Sequence, residues 1–142
     1  MPSVKGWKIN LQVCYDLRFP VWLRQSNPAK PSSAPKKTQP EYDLLIVVAN
    51  WPSSRSRAWK TLLPARAIEN QCYAIGVNRI GTDGNELSYS GDSMVVDPLG
   101  EALHTVSANE ETITLTLDRE MLETVRREFP FGDDANHFLI QS

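Results

Sequence analysis

The residue best suited to covalent chemistry here is Cys14, in the segment Lys8-Ile-Asn-Leu-Gln-Val-Cys14-Tyr-Asp-Leu-Arg-Phe-Pro20. An alternating apolar run ends on the thiol, and polar residues and a proline follow at once. That pattern hands a nucleophile to a sharp turn at the rim of a sheet. A thiolate there attacks an acyl carbon and forms a thioester. A free thiol has a pKa of about 8.5, so it needs a base or nearby positive charge to react well at neutral pH. The competing reading makes Cys14 a small buried hydrophobe. The main-chain N–H of Tyr15 follows the thiol, a position from which an amide commonly helps bind an oxyanion. Otherwise Tyr15 is an aromatic packed near the turn. Asp16 and Arg18 have the spacing for an ion pair that fixes the turn. Arg18 also carries the planar fork suited to a substrate carboxylate.

A second group follows the apolar run Leu44–Ala49, where loops at strand ends line sites. Asn50 is a candidate to fix the turn, Trp51 a candidate pocket wall, and Arg55 a second candidate carboxylate anchor. The alternative is a capped loop with a solvated arginine. Arg66 and Glu69 stand at i and i+3 and can pair on one helix face. Glu69 alone would be a substitute base. Cys72 lies in an apolar run and reads as core. His104 and His137 are far apart, and Asp133 and Asp134 adjoin His137 in a polar stretch that reads as loop. No metal site is expected.

Trp7–Val13 reads as a strand, with Trp7, Ile9, Leu11 and Val13 alternating with polar residues. Cys14 then falls on the polar side, opposite Val13. A short helix is expected over 19–25, with Pro20 in its first turn. Residues 26–41 are rich in proline and lysine and read as an exposed loop. Leu44–Ala49 has the continuous apolar, β-branched character of a strand covered on both faces. A helix capped by Ser54 or Ser56 runs to about Asn70, burying Leu62, Leu63 and Ile68. Pro64 predicts a kink or a restart in it. Strands follow over 72–77 and 93–96, with turns at 81–84 and 97–100. Segments 102–106 and 111–117 look like a hairpin. Asp118 caps a last helix that Pro130 stops. The pattern is α/β, a mixed sheet with helices packed on it, in a single domain over 1–142.

Composition excludes several classes. With a formal net charge of −2, nucleic acid and anionic membranes are not expected partners. No apolar run reaches the roughly 20 residues of a membrane helix. The first residues lack a signal-peptide core. Two cysteines are too few for a disulfide framework, and a reducing cytoplasm is the default. No Gly-x-Gly-x-x-Gly follows a strand, which argues against a dinucleotide-binding site.

The segments Cys14–Pro20, Ala49–Pro52, Arg66–Gln71, Gly76–Gly81, Tyr89–Ser93 and Asp97–Gly100, in that order, resemble the C-terminal part of a carbon–nitrogen hydrolase of the nitrilase superfamily. The fuller wording, with 81–84 and Phe129-Pro130, is most similar to the ω-amidase branch. The resemblance implies part of an α-β-β-α sandwich, normally a homodimer. It implies hydrolysis of a short linear amide bearing a carboxylate, with release of ammonia and no cofactor. The family's nucleophile carries over to Cys14. Its glutamate base and oxyanion-binding lysine match no position here, since Lys5 and Lys8 do not correspond and no glutamate precedes Glu41. The chain alone is therefore expected to be nearly inactive. The alternative is a non-catalytic interaction or dimerisation module derived from the same fold.

Overall fold

The computed structural model describes residues 1–25 and 40–134. The described residues form a sheet of seven strands. They are β1 (Ser3–Val4), β2 (Trp7–Val13), β3 (Leu44–Ala49), β4 (Tyr73–Asn78), β5 (Ile80–Thr82), β6 (Ser88–Val96) and β7 (Ala102–Ser107). β2, β3 and β4 are parallel neighbours, β6 runs antiparallel to β4, and β5 and β7 both pair with β6. The helices are α1 (Pro20–Leu23), α2 (Ser56–Asn70) and α3 (Arg119–Glu128).

Register decides which side chains share a face. Asn10, Leu45 and Ala74 align across β2, β3 and β4, as do Gln12, Val47 and Gly76. This face packs on α2 through Trp59, Leu63 and Ala67 and forms the main core. Close approach requires a glycine at 76: a Cβ there would stand 2.6 Å from both Trp59 Cζ2 and Leu63 Cδ2.

The other face carries three rows. Ile9, Leu44 and Tyr73 lie under α3, where Leu122 and Met121 cover them. Leu11, Ile46 and Ile75 form the next row, and Val13, Val48 and Val77 the last. The last row is open, with Val13 62%, Val48 49% and Val77 50% exposed. The expected double coverage of Leu44–Ala49 thus holds only at the α3 end, because α3 lies across the starts of the strands: Arg119 near its beginning meets Trp7 and Asp43, and Arg126 near its end meets Asp43 and Gln71. The apolar side of β2 is likewise covered only at its start, while Asn10 is buried toward α2.

Other expectations are corrected. Residues 111–117 form no strand, although β7 does pair with β6. After β7, Ala108 takes φ +60°. The chain then crosses the sheet face, where Glu110, Glu111 and Ile113 line a cavity of about 530 Å³ with Ile75, Val77 and Val95. The helix expected over 19–25 is present but is only the single turn of α1, with Pro20 at its start, and a 3₁₀ turn, Cys14–Arg18, precedes it. Neither Ser54 nor Ser56 caps α2. Arg55 occupies the cap position, and the Ser56 hydroxyl donates to Asp92 instead. Helix α2 continues unbroken through Pro64. Its buried side is Trp59, Leu63, Arg66, Ala67 and Asn70, whereas Ile68 is half exposed. Asp118 does cap α3, accepting from the N–H groups of Glu120 and Met121. The loop expected over 26–41 lies outside the described residues except for Pro40 and Glu41.

Candidate active site

Cys14 opens the 3₁₀ turn at the end of β2 with φ +45°. A non-glycine residue in this left-handed region costs about 1–3 kcal/mol and persists only where its surroundings over-determine it. Two contacts do so. The Asp16 carboxylate accepts from the Val13 N–H at 2.9 Å, bracketing Cys14. The buried Arg66 guanidinium donates through Nε and Nη2 to the Leu17 carbonyl, at 3.1 and 2.8 Å. Leu17 itself is fully buried. The turn is therefore pinned at both ends while the Cys14 side chain stays half-buried against the main core.

The end of β3 supplies the facing wall. Cys14 Sγ lies 3.9 Å from the Asn50 carbonyl oxygen. Trp51 is buried, packs on Trp59 at 5.6 Å between ring centroids, and donates Nε1–H to the Arg55 carbonyl at 2.8 Å. The Arg18 guanidinium stacks on the Trp51 ring, 4.8 Å from its centroid. Among the described residues no carboxylate pairs with Arg18, so the anticipated Asp16–Arg18 ion pair does not form. Asp16 turns to the backbone instead. The Tyr15 ring is exposed and meets Phe19 edge-on at 5.2 Å. The Arg55 side chain is exposed.

Cys14, Tyr15, Arg18, Asn50 and Trp51 thus gather at the C-terminal ends of β2 and β3, the end at which open α/β sheets bind ligands. Arg66 and Glu69 do pair, at 3.1 Å. Cys72 is fully buried, and burial pushes its thiol up to about 12. No group of three or more potential metal ligands comes together among the described residues.

Two supporting residues escaped the sequence reading. Asn78, at the end of β4, accepts the Trp51 N–H at 2.7 Å and donates to the Trp51 carbonyl at 3.0 Å. Asp92 is buried, at φ +56°, and accepts from Ser56, Ser90, Ser107 and Lys60. Burial opposes its charge, but these four donors outweigh it and hold the carboxyl well below the usual range. Both lie in segments that carry the family resemblance, Gly76–Gly81 and Tyr89–Ser93, but the only local signal either one offers is a polar residue ending or interrupting an apolar strand.

The sequence model of one family, carbon–nitrogen hydrolase, matches residues 2–127. The chain belongs to that family, within the nitrilase superfamily. It is 47% identical over 135 residues to an omega-amidase, YafV, of Escherichia coli, covering 94% of this chain and 48% of that protein. It is 34% identical over 132 residues to a 2-oxoglutaramate amidase of Bacillus subtilis, covering 93% of this chain and 46% of that one. Among solved structures it resembles a CN-hydrolase superfamily protein of Xanthomonas campestris that carries an arsenic adduct in its active site. The TM-score is 0.89 at 46% identity, over 99% of this chain and 51% of that one. The chain spans about half the length of the curated relatives it matches.

Proposed function

We propose that this chain carries the nucleophile half of an ω-amidase-like site acting on a short linear amide with a distant carboxylate. The observation that carries the reading is Cys14 held at φ +45° at a strand end, with the Arg18 guanidinium, four residues on, stacked on Trp51 and in no ion pair among the described residues. The names of the relatives support the reaction class. The Cys14 thiolate attacks the amide carbonyl, and the C–N bond breaks as the leaving nitrogen takes a proton and departs as ammonia. Water then cleaves the thioester, giving the acid and restoring the thiol. The Tyr15 N–H serves the oxyanion. Arg18, laid on Trp51, anchors the substrate carboxylate, with Arg55 as the outer cation and Asn50 shaping the wall.

The glutamate base and lysine that the family uses match no position here, so this chain alone turns over little substrate. Losing one preorganised oxyanion donor typically costs about 10²–10³ in rate. The test is ammonia release from 2-oxoglutaramate by the chain, by Cys14→Ala, and by each joined to the first half of a relative's domain. Activity only in the joined wild type supports the reading. Joined Cys14→Ala that stays active sinks Cys14 as nucleophile. A second reading, a non-catalytic pairing module, is favoured by the open row Val13, Val48 and Val77. A joined protein that is folded yet inactive would support it. A cytoplasmic, homodimeric protein fits either reading, and no helix among the described residues is long and apolar enough to cross a membrane.

A further inference from the structure

We infer that Asn78 is a positioning residue of this site, setting through Trp51 both the Arg18 guanidinium and the carbonyl that faces Cys14. The inference rests on the reading of Cys14 and Arg18 given above. Asn78 is buried, and its carboxamide uses every polar atom. Oδ1 accepts the Trp51 N–H at 2.7 Å, and Nδ2 donates to the carbonyls of Trp51 at 3.0 Å and Gly91 at 2.7 Å. One side chain thus grips both backbone groups of Trp51 and ties them to β6. A donor faces Oδ1 and two carbonyls face Nδ2, so the orientation of the amide is fixed by chemistry.

Two parts of the site hang from that grip. The peptide whose N–H Asn78 holds has the Asn50 carbonyl as its other end, and that oxygen lies 3.9 Å from Cys14 Sγ. The Trp51 ring is the surface on which the Arg18 guanidinium rests, 4.8 Å from the centroid. Arg18 is held by stacking alone among the described residues, so its place depends on where Trp51 stands. Asn78 touches neither the thiol nor the guanidinium. It acts on both through Trp51.

The experiment compares alkylation of Cys14 by two small probes of like reactivity and opposite electrostatics, iodoacetate and iodoacetamide, followed by mass spectrometry. Arg18 favours the anionic probe, and the ratio of the two rates cancels any general change in thiol reactivity. Cys72, fully buried, reports folding in the same spectrum. In the wild-type chain the ratio exceeds that of Arg18→Gln by about threefold or more. Asn78→Ala brings the ratio to within twofold of Arg18→Gln and changes the absolute Cys14 rate, with Cys72 still protected. Where Asn78→Ala exposes Cys72, Asn78→Ser, which retains a hydroxyl in the space, is read instead. Wild-type ratio and rate in a folded Asn78 variant, beside a lowered ratio in Arg18→Gln, overturn the role of Asn78 alone. An unchanged ratio in Arg18→Gln overturns the carboxylate-anchor reading and the Arg18 half of the inference. The Asn50 half is then decided by the absolute Cys14 rate in the Asn78 variant: changed, it stands; unchanged, it falls.

Discussion

The Arg66 guanidinium and the Leu17 carbonyl meet in a two-pronged hydrogen bond, 49 residues apart in sequence, with both residues buried. It connects the middle of α2 to the turn that holds Cys14 in the left-handed region. Truncation to Arg66→Ala would leave a buried carbonyl without a donor, costing about 1–3 kcal/mol. Arg66→Lys keeps the charge but not the fork, and recovers only part of that. We expect both to lower the urea midpoint, the alanine more. Both should also alter Cys14 alkylation before global unfolding, since the strained turn relaxes first. A Cys14 rate that follows only the global unfolding curve would show that the turn does not depend on Arg66.

The two thiols are set apart by environment. Cys72 is enclosed, and its charged form is disfavoured, first by burial, so that the thiol titrates at about 12. Cys14 is partly open at a turn. At neutral pH iodoacetamide should therefore modify a single cysteine in the native chain and both in denaturant. Rapid labelling of Cys72 under native conditions would contradict the packing of β4 on α2.

The contrast between Cys14 and its supports also marks how far the sequence could be read. The strand–turn pattern and the run 44–49 were legible because periodicity and a terminal thiol are local signals. Arg66 was legible as a helix-face partner of Glu69, but not as the anchor of Leu17, because that contact depends on how α2 packs against the turn that follows β2. Asn78 and Asp92 stand in segments that carry the resemblance, but their roles were not legible for the same reason: a polar residue in a strand names its partners only once the register is known. The strand expected over 111–117 failed because alternation such as Thr112-Ile113-Thr114-Leu115 fits any extended segment lying on an apolar face. The open row Val13, Val48 and Val77 is apolar in sequence like any core, and nothing local distinguishes covered from uncovered valine.

Acid should unfold this chain through two carboxylates. Burial would raise Asp43, but the Arg126 hydrogen bond at 2.7 Å, the Lys8 N–H and the nearby Arg126 and Arg119 charges lower it overall. Asp92 is lowered likewise by Lys60 and three serine hydroxyls, against the opposing effect of burial. A folded pKa below the unfolded value of about 3.9 means the stabilisation is complete above that value. It is lost as pH falls through the folded pKa. Urea midpoints should thus hold steady from neutral pH to about 5 as far as these groups are concerned, and fall below about 4. Asp92→Asn should be less stable at pH 7 and show a shallower acid decline. An equally steep decline in Asp92→Asn and in Asp43→Asn would place the acid sensitivity elsewhere.

Gly76 tests the core that carries all of this. Its position in β4 is set between Val47 and Met94 by register, and α2 lies so close that an added methyl would stand 2.6 Å from the side chains of Trp59 and Leu63. Its φ is not in the left-handed region, so the objection to a side chain is space alone. Trp59 cannot swing freely, because its Nε1–H is bound to the Asp92 carbonyl at 2.8 Å and its ring is packed on Trp51. Gly76→Ala should therefore destabilise by about 1–3 kcal/mol, as overpacking does, despite the better strand propensity of alanine. The displaced Trp59 would press on Trp51, so the Cys14 iodoacetate-to-iodoacetamide ratio should fall as well. Equilibrium urea unfolding gives the first quantity and the paired alkylation the second. A stable Gly76→Ala chain with an unchanged ratio would mean that α2 shifts outward as a body, carrying Trp59 away without disturbing Trp51.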